Sequence, residues 1–262
     1  MVISMHELLN LGAFPLDRPN SPQWRELVDQ CKQDGMFNLH GFMRADIAAS
    51  EVQKMKHDFD TRSFRHERSH NIYFEKELPG LTPDHPALRL CQTSNQTLCA
   101  DQIAGSAVMR LYEWPPFISF LAATMSKPEL FVMQDPLARV NTMSYHEGQA
   151  LNWHFDRSEF TTTMLLQAPE KGGDFEYRTD LRSDDDQNFD GVVRLLNGQD
   201  PDVQKITLTP GTLNVFRGKN TAHRVTPVKG NTDRVIAVFS FFDRPGVTFS
   251  EDERTGFYGR AS

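Results

Sequence analysis

Hydrophobic and polar positions follow two different periods along this chain, and the change falls near residue 136. Before it, apolar residues recur mostly at helical spacing. "SPQWRELVDQCKQDG" (21–35) predicts a helix that Ser21 can cap, with Pro22 in its first turn and Gly35 available to close it. "MFNLHGFM" (36–43) alternates as a short strand. "RADIAASEVQKMKHDFDTRSF" (44–64) returns to helical spacing, and 101–126 is mostly helical with a break at Pro115-Pro116. Residues 65–100 are rich in Pro, His, Asn and Thr and predict a loop with little regular structure.

From 136 onward the texture is short and β-rich: "LARVNTMSYHEG", "LNWHFD", "FTTTMLLQAP", "GDFEYRT", "QKITLTPGTLNVFRG", "TAHRVTPVKG" and "DRVIAVFSFFD". Turn signals separate these runs at Glu147-Gly148, Gly172-Gly173, Pro210-Gly211 and Gly230-Asn231. Short strands at this spacing predict an antiparallel sandwich or barrel. The expected fold is therefore α+β with a mainly β core, its N-terminal helices packed on one sheet. No linker-like stretch divides the chain, so one domain is expected over 1–262, with 1–135 mostly helical and 136–262 forming the core.

Composition narrows the function classes. The chain has 262 residues and a net charge of −7, and proteins that track phosphate backbones usually carry a basic face. A small metabolite fits better than a nucleic acid. No apolar run approaches the ~20 residues of a membrane helix, and the N-terminus lacks the pattern of a signal peptide. Three irregularly spaced cysteines, Cys31, Cys91 and Cys99, point to a reducing compartment rather than a disulfide frame. A cytoplasmic location is expected.

The chemistry concentrates in "LNWHFDRSEF" (151–160). On a strand, His154 and Asp156 face the same way, which makes half of a chelate. His223, in "NTAHRV", can supply a third ligand. Two histidines and one carboxylate on a β-scaffold form a facial triad that leaves positions open on a non-haem iron. Alone, a His-x-Asp pair is more often an ordinary strand pair, and nine histidines allow chance matches. Arg234 changes the balance. It follows His223 by eleven residues, inside an otherwise apolar strand, and a buried arginine needs an anionic partner. That partner can be the distal carboxylate of 2-oxoglutarate, held bidentately.

The order His-x-Asp, then a distant His, then Arg resembles the iron(II)/2-oxoglutarate dioxygenases. "DPLARVNTMSY", "PGTLNVFRGKNTAHRVTPVKG", "RVIAVFSFFDRPG" and "FYGR" extend the likeness over roughly 101–260 to the BesD/HalD-type group, which halogenates or hydroxylates free amino acids, lysine foremost. The resemblance implies a double-stranded β-helix, or jelly roll, and the cofactors Fe(II), 2-oxoglutarate and O2. It implies Fe(II) on His154, Asp156 and His223. The halogenases of that group carry a glycine where the carboxylate ligand would be, so Asp156 implies a hydroxylase. The expected reaction oxidises an unactivated C–H bond and releases succinate and CO2. Desaturation or cyclisation of an amino-acid-derived metabolite, a macromolecular substrate, and a cupin-like metal protein without oxygenase activity are the alternatives. A cupin has no need of Arg234.

Other residues carry two readings each. Tyr145 resembles a cosubstrate contact and equally a half-buried strand aromatic. Thr163 can donate to the same carboxylate, and β-propensity explains it as well. Trp153 reads as core. For the substrate, Arg89, Asp135, Arg157 and Tyr258 are candidates, each also explicable as surface charge or packing. The acidic run "RSDDDQN" (182–188) reads as a solvated loop.

Overall fold

A computed structural model describes residues 4–34 and 36–262. The helices are α1 (Met5–Leu8), α2 (Pro22–Asp34), α3 (Ala45–Arg62), α4 (Ala107–Tyr112), α5 (Pro115–Thr124), α6 (Phe189–Leu196) and α7 (Glu251–Tyr258). The strands of the N-terminal part are β1 (Met36–Leu39), β2 (Phe64–His70), β3 (Cys91–Leu98) and β4 (Phe131–Val132). Those of the core are β5 (Val140–Tyr145), β6 (Leu151–His154), β7 (Thr161–Gln167), β8 (Lys171–Gly172), β9 (Phe175–Arg178), β10 (Gln204–Ile206), β11 (Leu213–Phe216), β12 (Ala222–Val225), β13 (Val228–Lys229), β14 (Arg234–Phe239) and β15 (Phe241–Phe242).

Two antiparallel sheets form the jelly-roll core. The larger runs β1-β11-β7-β14-β5-β3-β2, and the smaller runs β10-β9-β12-β6. Period-2 patterning decides what each face meets. In β14, Val235, Ala237 and Phe239 join the apolar cluster built with α2 to α5, whereas Ile236 turns inward to Tyr145 and Leu165. The inner face of the large sheet is polar for a buried surface: Thr93, Asn95, Asn141, Thr163, Asn214 and Arg234 are all buried.

The helices behave as their sequences require. Ser21 accepts a hydrogen bond from the Trp24 amide at 3.2 Å, which caps α2. Gly35, the expected end of that helix, lies outside the described residues. The break at Pro115 falls between α4 and α5. The loop expected over 65–100 is corrected: β2 and β3 pair over seven residues and extend the large sheet. Their sequences, "FRHERSH" and "CQTSNQTL", alternate polar with polar and so carry no hydrophobic period. Three further helices, α1, α6 and α7, were unread. Asn188 caps α6 through the Gly191 amide, and Ser250 with Glu253 forms a capping box on α7. No helix among the described residues is long and apolar enough to cross a membrane.

Asp135 ties the C-terminal segment to the core. Its buried carboxylate accepts from the Leu137, Ala138 and Phe249 amides and from Arg254 Nε at 2.8 to 3.1 Å. Burial alone would raise its pKa, but these donors outweigh burial and hold it below the ordinary 3.8. Asp135→Ala is expected to cost about 3–5 kcal/mol by leaving Arg254 unpaired, measured by denaturant unfolding. The wild-type contribution is complete above about pH 4 and is lost as the pH falls through the depressed folded value, a loss the variant would not show.

Candidate active site

β6 and β12 pair so that His154 and His223 lie directly opposite each other. Their rings sit 4.0 Å apart. Each donates Nδ1–H to a backbone carbonyl, His154 to Asn152 at 2.8 Å and His223 to Thr221 at 3.0 Å. That fixes the tautomer and leaves both Nε2 lone pairs free. Asp156 follows β6 and turns its carboxylate toward both. Its oxygens lie 3.5 Å from His154 Nε2 and 3.3 Å from His223 Nε2. All three donor atoms fall within 4.8 Å of one another.

The surroundings set the protonation states that metal ligation needs. His223 sits against Phe216 and Phe175, with ring centroids at 4.6 and 5.7 Å. Burial, then the neighbouring His154, pushes its pKa down to about 4, so the ring is neutral at physiological pH. Burial opposes ionisation of Asp156, but His223, His154 and a hydrogen bond from Thr161 Oγ1 hold its carboxyl well below the ordinary range. His70 lies nearby, its ring 6.5 Å from that of His154. Both of its nitrogens are already engaged, by Asn71 O and Thr93 Oγ1.

Arg234 is buried in the first position of β14, opposite Tyr145. Its Nε donates to Gly173 O at 3.0 Å, while its Nη1 is buried without a partner. Burial lowers its pKa to about 10, which leaves it charged. Gly173 makes this approach possible, since a Cβ there would come within 2.9 Å of Arg234 Cδ, at a φ of +62°. Thr163 Oγ1 is likewise buried and unpaired. An orphaned guanidinium nitrogen and an orphaned hydroxyl on the inner face fit a dicarboxylate cosubstrate. Tyr145 is buried under Arg234, and its hydroxyl donates to Met143 Sδ at 3.7 Å.

The four substrate candidates are committed elsewhere. Arg89 bonds Leu196 and Asn197 at the C-terminal end of α6, in a cleft with Trp153, Glu176 and Arg224. Those three alternate away from His154 and His223, so the cleft lies on the outer face of the small sheet. Asp135 is spent on the amides described above. Arg157 is exposed and pairs with Glu253 at 3.4 Å. Tyr258 donates to Asn141 Oδ1 at 2.8 Å and packs in the C-terminal cluster. Residues 183–186 of the acidic run are exposed.

The sequence profile of halogenase D, HalD, matches residues 23–250. The chain belongs to the halogenase D family. With the His/Asp/His set assembled, this family member carries the three protein donors of a non-haem iron oxygenase. Solved structures share the fold at low identity. An oxidoreductase of the 2OG-Fe(II) oxygenase family from Burkholderia pseudomallei is 15% identical with a TM-score of 0.52, covering 88% of this chain and 95% of its own. A Pseudomonas putida prolyl-4-hydroxylase is 16% identical with a TM-score of 0.51, covering 83% and 99%. The epimerase SnoN, in complex with Fe3+, alpha ketoglutarate and nogalamycin RO, is 11% identical with a TM-score of 0.54, covering 84% and 83%. No curated protein sequence matches the chain.

One supporting residue was not legible from motif spacing. Gly218 accepts the Asp156 amide at 3.0 Å. A Cβ at Gly218 would collide with Asp156 Oδ2 and Thr161 Oγ1. Gly218→Ala is expected to displace the carboxylate and weaken Fe(II) binding about 10- to 100-fold, read by anaerobic metal titration with the fold checked by circular dichroism. Unchanged metal affinity would remove Gly218 from the site's support. Arg234→Met should lose 2-oxoglutarate binding while keeping metal affinity within about twofold, measured by calorimetry. Parallel loss of both would mean that Arg234 supports the fold rather than the cosubstrate.

Proposed function

We propose that this enzyme hydroxylates an unactivated C–H bond of a free amino acid, lysine or one with a similar side chain. One observation carries the choice of hydroxylation: Asp156 is present, and its carboxylate occupies the third corner of the donor set. A halide would need that corner vacant.

The residues take distinct roles in this reading. His154, Asp156 and His223 hold Fe(II) on one face. Arg234 grips the distal carboxylate of 2-oxoglutarate, Thr163 donates to it, and the buried Tyr145 ring walls its position. When bound, iron and cosubstrate together reduce O2, release succinate and CO2, and supply the oxidant for the C–H bond. The chain itself orients the substrate, and the aromatic wall of Phe74, Phe175 and Phe216 around the imidazoles keeps water from the reacting centre. The two Nδ1–H contacts to carbonyls hold both ligands in one tautomer through the cycle.

Free amino acids offered one at a time, with Fe(II), 2-oxoglutarate and chloride, test the proposal. At least one should raise succinate release above the uncoupled rate and emerge heavier by one oxygen atom. A chlorinated product would overturn the role given to Asp156, and no stimulation by any amino acid would overturn the substrate class.

A further inference from the structure

β2 carries a cation that the iron and cosubstrate do not use. His66, Arg68 and His70 alternate toward the inner face, while Arg65, Glu67 and Ser69 are exposed. His70 reaches the metal site, with its ring 6.5 Å from that of His154. Arg68 stands two residues earlier on the same face, roughly 7 Å back along the strand.

The setting of Arg68 differs from that of the other arginines near the site. Arg157 pairs with Glu253, Arg224 with Glu176 and Arg254 with Asp135. Arg68 has no carboxylate partner among the described residues, and its Nε is buried without a hydrogen bond. Its guanidinium instead lies between two aromatic rings, 4.5 Å from the Phe74 centroid and 5.8 Å from that of Phe257 on α7. Cation–π contacts orient a guanidinium but leave its in-plane donors unsatisfied. Burial, then the nearby Arg157, lowers its pKa. The site therefore holds uncompensated positive charge.

Phe74 is built for this position. It adopts φ +57°, a conformation that is costly for a bulky residue and kept only where the surroundings demand it. Its ring stacks on His70 at 4.4 Å, and stands 5.6 Å from His154. Arg68 and His154 both lie against the Phe74 ring, so Arg68 is no more than about 10 Å from the His154 ring.

We propose that Arg68, framed by Phe74 and Phe257, is the anchor for a substrate carboxylate at the mouth of the site. The guanidinium fork takes the carboxylate through its free edge. The Phe74 ring sets the distance, so that a carbon a few bonds from the carboxyl reaches the metal. Residues 71–75 and α7 hold the two rings and so close the mouth around a bound carboxylate. The substrate is then a small carboxylic acid, a class that includes free amino acids. This rests on the oxygenase reading of the site and refines its substrate.

The test uses the full chain, loaded anaerobically with Fe(II) and 2-oxoglutarate, and calorimetric titration. The probes are the free L-amino acids, short hydroxy acids and non-amino carboxylic acids, each beside its amide. At least one acid should bind wild type, and its amide should bind roughly 10- to 100-fold more weakly. Arg68→Gln should lose the same factor for the acid and nothing for the amide. Arg68→Lys, which keeps the charge without the fork, should fall between. Both variants should melt within a few degrees of wild type and keep their 2-oxoglutarate affinity. The proposal is overturned if no acid binds wild type, if amides bind as well as acids, if Arg68→Gln binds the acid unchanged, or if it loses 2-oxoglutarate instead. Arg68-dependent binding of other acids, with none of any amino acid, would leave the anchor standing and refute the free-amino-acid reading alone.

Discussion

The site depends on one cross-strand pairing. His154 on β6 lies opposite His223 on β12, and that register alone brings two imidazoles from distant parts of the chain to one point. A slip of one residue in either strand would send its imidazole to the outer face, where Trp153 and Arg224 now sit, the guanidinium 4.8 Å from the ring centroid. Asp156 lies just beyond the end of β6, on the side that alternation gives it, and its amide is held by Gly218 O. Thr161, at the start of β7, then fixes the carboxylate from the facing sheet. The donor set is thus assembled where the two sheets meet and inherits their rigidity.

Burial and charge divide the inner space into zones. The proposed metal ligands are two imidazoles and one carboxylate, seated against aromatic rings. Arg234 sits deep, with one nitrogen bound to Gly173 O and another left unpaired. Arg68 is half-buried, its guanidinium 4.5 and 5.8 Å from the centroids of Phe74 and Phe257. A buried and a half-buried cation, each without an ion-pair partner among the described residues, are expensive for a fold to keep. An anionic ligand on each would offset that cost.

Legibility in the sequence followed periodicity. Strands β5 to β7 and β9 to β14 fell within runs whose apolar residues alternate or cluster between Gly and Pro signals. The four turn glycines, Gly148, Gly172, Gly211 and Gly230, all take positive φ. β2 and β3 were lost because both of their faces are polar: one is solvated and the other lines the site. The metal donors were visible because alternation puts His154 and Asp156 on one side, and Arg234 stood out as a charge in an apolar strand. The substrate end was not visible. Arg89, Arg157 and Tyr258 are spent on local partners that no spacing rule reveals. Arg68 lay in the stretch expected to be loop, and its inward position follows only from the pairing of β2 with β3.

The central claim is that His154, Asp156 and His223 form an iron centre that also chelates 2-oxoglutarate. Anaerobic addition of Fe(II) and then 2-oxoglutarate to the wild-type protein tests it most directly. A weak visible charge-transfer band should appear only with both present, saturate at one iron per chain, and be absent from His223→Ala. No band in the wild type, or the same band in His223→Ala, would contradict it.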